Sequence, residues 1–460
     1  MQVKENKMGT YKILPLLLTM SIPPTISMLI NSLYNIVDSI FVARLGTEAL
    51  TAVSLAFPIQ NLILAIAVGS GVGLNSYIAR KLGERREDIA NKTAGNGITL
   101  AIIHYLILCI LGIFFIKRFF QLFVQEENIL KLGVSYTYII IFFSIGIIAQ
   151  IAIEKILQAT GNTLTPMYLQ IIGAVVNIVL DPILIYGYFG LPAMGVKGAA
   201  IATIIGQLIA LFCSVYVLFF KKQSIKILKQ DFFIDRKIVK EIYNVGIPSF
   251  FIMSIGSFLV MGINLILSEI SNLAISLFGI YFKLQTFIYM PTSGVTQGAM
   301  PIMGYSYGAR NSKRVSEVLN YSIIICVIIN FLGSALFWLY PKEILQFFEV
   351  SDEMLSMGVQ TMRIMSTSYS FGSVCFIFSC FLQAIGKGFS SLIITLLRQF
   401  ILLLPIAYIF GKIYGLIGVW ASFPIVDIVT CIISVFMYKN FLEKDPVMTL
   451  NKRKYCNLRN

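Results

Sequence analysis

Residues 31–46 read NSLYNIVDSIFVARLG. They close the first long apolar run of the chain and carry a carboxylate, Asp38, with apolar residues on both sides. A charged group at the centre of a membrane helix costs roughly 2.5–3.5 kcal/mol on insertion scales, so an acid kept there is protonated, paired or bound to a cation. Tyr34 lies one helical turn before Asp38 and shares its face. A second acid, Asp181, stands in a comparable setting, with Asn177 one turn before it and Pro182 after it. Proline removes a donor and clashes with the carbonyl of residue 178, which predicts a kink and a free carbonyl beside the acid.

Working outward, the whole chain has the same character. Of 460 residues 57% are hydrophobic, only 13% are charged, and the mean hydropathy is +0.83. Soluble domains carry roughly 25% charged residues, so the chain is read as an integral membrane protein. A spanning helix needs about 20 apolar residues, and about twelve runs qualify. They cover 13–42, 50–78, 93–116, 134–157, 166–189, 196–220, 242–268, 273–303, 319–340, 358–384, 389–410 and 416–438. The first run is too long for a cleavable leader and contains Pro23 and Pro24. The seven cysteines show no metal spacing and no disulfide framework, and are read as small packing residues.

The net charge of +14 belongs to the loops. With the N-terminus inside and sides alternating, the basic clusters at 80–92, 221–240, 310–314 and beyond 439 all fall on the inner side. Only Arg44, Lys117, Arg118, Lys131, Lys197, Lys342 and Lys412 fall outside, while Lys155, Lys283, Arg363 and Arg398 lie within or near spans. The bias places both termini in the cytoplasm and sets the basic loops against anionic headgroups, which removes nucleic acid as a partner.

The chain also repeats itself at a spacing of 225 residues. Ser21-Ile22-Pro23 returns as Gly246-Ile247-Pro248, Leu82-Gly83 as Tyr307-Gly308, and Leu157-Gln158-Ala159 as Leu382-Gln383-Ala384. Gly195 and Gly198 match Gly415 and Gly418 after a small gap. An even number of spans per half makes the repeats parallel, with a cavity expected between them. The expected fold is therefore an all-α membrane protein of about twelve helices in two pseudo-symmetric six-helix lobes. The expected domains are an N-lobe at 1–220, a basic linker at 221–240, a C-lobe at 241–440 and a tail at 441–460.

Four acids fall well inside spans: Asp38, Glu154, Asp181 and Asp427. Asp38 lies about 9 Å and Asp181 about 10 Å from the outer ends of their spans, so the two are expected to form one site. Asp, Asn and loose carbonyls together make a hard, oxygen-rich site that suits H⁺ or Na⁺, and Na⁺ is the one metal expected, at Asp38, Asn177 and Asp181. Glu154, beside Lys155, is read either as an inner gate or site, or as an end charge reaching the interface. Asp427 and Arg398 are read as an ion pair, and His104 as a helix-packing residue. Lys283 and Arg363 are left to line the cavity of the second lobe, and Phe57, Met28 and Met290 offer a tolerant wall or simple packing. No GxSxG and no GxxxxGK[ST] is present, so neither a serine hydrolase nor direct use of ATP is expected.

YNIVDSIFVARLG in the first span, LDPILIYG in the fifth and GAAIAT in the sixth resemble the MATE family, the multidrug and toxic compound extrusion transporters. The resemblance implies a transporter that exports cationic or amphipathic drugs and dyes in exchange for H⁺ or Na⁺, without a cofactor, as a monomer in a bacterial plasma membrane. It places Asp38, Asn177 and Asp181 in the first-lobe cation site, with Tyr34 and Thr203 nearby; Glu154 and Lys283 are further cavity candidates on their own positions inside spans. Acids that some members carry in helices 7 and 10 are missing here, since Glu269 stands at the very end of the seventh span. A lipid-linked oligosaccharide flippase of the same superfamily is the alternative, kept open by Lys283, Arg363 and Arg398. A membrane-embedded enzyme and a channel are disfavoured.

Overall fold

The computed structural model describes residues 6–449. Lys4, Lys452, Arg453, Lys454, Cys456 and Arg459, to which the charge and cysteine readings also apply, lie outside the described residues. Among the described residues the chain is helical and contains no strand. The helices are α1 (Lys7–Thr10), α2 (Ile13–Ala43), α3 (Thr47–Gly83), α4 (Glu87–Phe123), α5 (Glu127–Phe142), α6 (Ile145–Ala159), α7 (Leu164–Tyr186) and α8 (Val196–Phe220). Then follow α9 (Arg236–Ser268), α10 (Asn272–Gly308), α11 (Ser312–Leu339), α12 (Pro341–Gln346), α13 (Asp352–Ser366), α14 (Tyr369–Ala384), α15 (Gly388–Leu396) and α16 (Leu403–Lys444), the last two joined by a π-helical turn at Leu397–Leu402.

Eight of these, α2, α3, α4 and α7 to α11, are each long and apolar enough to span alone. The pairs α5/α6 and α13/α14 qualify as single spans bent by 42° and 43°. The final stretch, Gly388–Lys444, holds 57 residues. At 1.5 Å per residue that is about 85 Å, far beyond a core of about 30 Å. It doubles back at Gly415, whose φ of 62° and ψ of −146° break the helix. A side chain at Gly411 would meet Val419, and one at Gly418 would meet the Phe410 carbonyl, contacts that only a hairpin allows. The expected twelve crossings are thus recovered.

The repeat is visible in backbone detail. α3 and α10 have the same length, 37 residues each, and both their ends are offset by the repeat spacing. Arg85 and Arg310 both take positive φ, at 60° and 54°, as do Gly161 and Gly386, at 89° and 88°.

Two compact units result. One comprises residues up to 25, 83–85 and from 251 onward; the other comprises 26–82 and 86–250. This division differs from the expected lobe bounds at 1–25, at 83–85 and at 221–250, and the first and seventh spans each contribute residues to both units. Small residues account for it. In the first unit, Gly298 leaves room for Ser21, and a Cβ there would meet the Ser21 Oγ at 2.5 Å; Gly294 does the same for Thr25. In the second unit, a Cβ at Gly69 would meet the Gly246 carbonyl at 3.0 Å and the Phe250 amide at 3.0 Å, and Gly73 leaves room for Ile242. Each pair is a GxxxG face of the kind that lets membrane helices approach closely.

The linker is held inside the second unit. The Asn96 amide donates to the carbonyls of Asp231 and Phe233, both at 3.0 Å, and its oxygen accepts from the Asp235 amide at 2.8 Å. Thr99 Oγ1 adds a bond to the Phe232 carbonyl at 2.9 Å. Each such bond contributes about 0.5–1.5 kcal/mol net. Asn96→Ala is expected to raise the rate of tryptic cleavage at Lys226 and Lys229 about tenfold or more, measured by gel on purified protein in detergent. An unchanged cleavage rate would show that Asn96 does not hold the linker.

Candidate functional site

α2 and α7 each carry their acid five residues before the helix end, so both carboxyls sit about 8 Å from it. The two helices are tied one turn further out, where the Tyr186 hydroxyl donates to the Phe41 carbonyl at 2.9 Å and the two rings meet edge to face. This lock aligns the two helices in register, and the Asp38 and Asp181 carboxyl groups meet at hydrogen-bonding distance. Asp181 is fully buried, Asn177 is 3% exposed, and Asp38 is half-buried. α7 runs unbroken through Pro182.

Asn177 connects the pair to α8. Its Nδ2 donates to Asp181 Oδ1 at 3.2 Å and to Thr203 Oγ1 at 3.4 Å. Asp38 Oδ1, Asp181 Oδ2 and Asn177 Oδ1 are buried and have no hydrogen-bond partner. Two carboxyl groups in contact require a proton or a cation between them, because ionised carboxylates only accept. The three unpartnered oxygens are hard donors, chemically suited to H⁺ or to Na⁺. Among the described residues no group of three His, Cys, Asp or Glu side chains could hold a metal ion.

The structure therefore brings together Asp38, Asp181, Asn177, Tyr34 and Thr203 within one unit. It adds two residues that sequence reasoning missed. Tyr136, on α5, lies with Tyr34 in electrostatic range of both acids, and Gln60, on α3, donates to the Tyr136 hydroxyl at 2.7 Å. The available signal was polarity out of place, since Gln60 interrupts an apolar run two residues after Pro58.

Glu154 is not part of this cluster of partners. It is 2% exposed, accepts from Gln150 at 3.2 Å and from Gln170 at 2.9 Å, and so does not reach the interface as one reading allowed. Two amide donors from neighbouring turns and helices compensate its burial in a way water cannot. Lys155 beside it is 8% exposed and donates to Gln158 at 2.9 Å. Glu154→Ala would strand both glutamine donors and is expected to lower stability by about 1–3 kcal/mol, read as an earlier thermal melt in detergent.

In the other unit Arg398 and Asp427 form a two-point ion pair, with Nε to Oδ1 at 2.7 Å and Nη2 to Oδ2 at 3.2 Å. Gly372 makes room for it, because a Cβ there would meet Arg398 Nη2 and the Tyr289 hydroxyl at 2.6 Å each. His104 bonds the Tyr243 hydroxyl at 2.7 Å, as a packing residue would. Glu269 pairs with Lys412 at 2.9 Å at an exposed helix end. Arg363 bonds the Trp338 carbonyl at 3.3 Å, and Lys283 is exposed. Met290 is buried, which makes it core, whereas Phe57 is exposed.

Twelve helical spans built as a twofold sequence repeat, with paired acids inside one unit, define a membrane transporter. The MatE family profile matches residues 23–183 and 248–409, and the chain belongs to that family. Its members are transporters and not enzymes. The chain is similar to a FAD transporter of Shewanella oneidensis, with 26% identity covering 93% of this chain and 94% of that one. It is 24% identical to the probable multidrug resistance protein YoeA of Bacillus subtilis, with 97% of each covered, and 24% identical to the multidrug export protein MepA of Staphylococcus haemolyticus, with 91% of each covered. Among solved structures, an outward-facing multidrug resistance MATE transporter superposes with a TM-score of 0.90 at 27% identity, covering 97% of this chain and all of that one.

Proposed function

We propose that this protein is a secondary active exporter of cationic or amphipathic organic compounds, driven by H⁺ or Na⁺ entering at Asp38, Asp181 and Asn177. The observation that carries the reading is the contact between two membrane-embedded carboxyl groups, each with one unpartnered oxygen, beside the unpartnered Asn177 oxygen. With the acids ionised, the unit attracts a cationic compound from the cytoplasm or inner leaflet. An ion arriving from outside neutralises them and removes that attraction. Such a switch needs an ion with different affinity for the two states, and a group that sheds its charge on binding provides it. The membrane potential supplies about 2.3 kcal/mol per charge per 100 mV. The names of the YoeA and MepA relatives support drug export, and the Lys and Arg bias supports cytoplasmic termini.

The FAD transporter relative favours a second reading, export of a flavin nucleotide. Purified protein in lipid vesicles, given pH and sodium gradients separately, tests the first reading. Uptake of a cationic dye driven by one of the two gradients is expected. Dye movement indifferent to both would end the antiport reading.

A further inference from the structure

The first unit presents a face of α10 that the acid site does not use. Asn272, Ser276, Gly279, Lys283 and Thr286 are all exposed, and their spacing places them along one side of the helix. A Cβ at Gly279 would meet nothing within 4 Å, so the glycine does not serve close packing. Faces that meet lipid in this protein look different. On α4 the exposed positions Ile102, Leu106, Ile110 and Ile113 are all apolar, and on α9 so are Phe251, Phe258 and Leu265. A lysine that merely reached toward the interface would rise from such an apolar stripe. Lys283 instead stands in a mostly polar one, where Phe287, one turn on, is the exposed apolar residue; it lies three turns from the outer end of α10 and makes no ion pair or hydrogen bond among the described residues. Polar and charged positions exposed at membrane depth face water-filled space.

We propose that Lys283 is a specificity-determining residue that binds an oxyanion, a carboxylate or a phosphate, on an amphipathic substrate. This rests on the transport reading above and narrows its substrate class: the compound carries an anionic group as well as its apolar or cationic body. The ammonium ion is the only charge on the stripe, and a point charge with three donors suits a carboxylate or phosphate oxygen. Thr286 lies within a turn of it, but its hydroxyl already donates to the Phe282 carbonyl at 2.9 Å, leaving its oxygen as an acceptor only. The lysine therefore supplies the recognition, and the open position at Gly279 supplies room beside it.

Two experiments test this. Ser276→Cys and Thr286→Cys are treated with a membrane-impermeant maleimide, with Leu106→Cys, on the apolar face of α4, as the control and the wild-type cysteines as background. Labelling of the first two and not of the third is expected; labelling of none would place the stripe in lipid and overturn the proposal. Binding is then measured by fluorescence on purified wild type, Lys283→Ala and Lys283→Glu. One probe pair is a rhodamine with a free carboxylate and the ester of the same dye. The other is FMN and riboflavin, which differ by a phosphate. Charge reversal is expected to weaken the oxyanion-bearing member of at least one pair about tenfold, the scale of a unit-charge contact in a wet cavity, and to leave its counterpart without the oxyanion less affected or tighter. The pair that responds identifies the oxyanion. Equal shifts of both members, or failure of wild type to bind either anionic probe, would overturn the assignment. Loss of gradient-driven transport with the binding differences intact would instead count against the antiport reading.

Discussion

Asp38→Asn and Asp181→Asn are each expected to reduce gradient-driven export of a cationic dye about 5–150-fold, the span of a coupling free energy of 1–3 kcal/mol. Each amide keeps the size of the acid and removes the charge that an incoming ion would neutralise. The fold should survive, because Asp181 already shares its pocket with the Asn177 amide and Asp38 is only half-buried. The measurement is dye efflux from loaded cells expressing equal amounts of each variant. Wild-type efflux from either variant would remove that acid from the mechanism. Tyr136→Phe tests the neighbouring shell. It deletes the acceptor of Gln60, and a smaller loss of transport than in the acid variants is expected.

The second large effect concerns stability. Asp427→Asn leaves the Arg398 guanidinium in the interior of its unit without a counter-charge, and breaking a buried pair from one side costs about 3–5 kcal/mol. The thermal melt of the purified variant should move well below that of wild type. Replacing both partners, as Arg398→Met with Asp427→Leu, should recover most of the loss, since an apolar pair carries no stranded charge. Gly372→Ala should resemble the single variant in milder form, because its methyl would occupy space that Arg398 and Tyr289 use. If the double variant melts no higher than the single one, the pair does more than stabilise its unit.

Much of this was legible in the sequence because each relevant signal is local or periodic. Apolar runs long enough to span give the crossings, and a repeat at fixed spacing gives the matched backbone turns at Gly161 and Gly386. Acids inside such runs stand out through their cost, so Asp38 and Asp181 could be paired by depth alone. The residues that were missed are defined by partners far along the chain. Tyr136 is one tyrosine among many until α5 packs on α4 and α8 and sets it within electrostatic range of Asp38 and Asp181. The assignment of 13–25 to the unit that holds α10 depends on Gly294 and Gly298, a GxxxG spacing that becomes informative only when a second helix lies across it. Glu154 was ambiguous because sequence position near a span end does not reveal that Gln150 and Gln170 turn their amides toward it. The π-helical turn at Arg398 likewise leaves no mark in composition.

The central claim is that the paired acids are where ion and substrate meet. Its most direct measurement uses vesicles containing purified protein, an outward gradient of a cationic dye and no imposed ion gradient. Internal pH and sodium-22 are followed together with the dye. The wild-type protein is expected to draw H⁺ or Na⁺ inward as dye leaves, and the Asp38→Asn, Asp181→Asn double variant to move neither ion whatever dye still leaks. Ion entry at the wild-type ratio in the double variant would contradict the account.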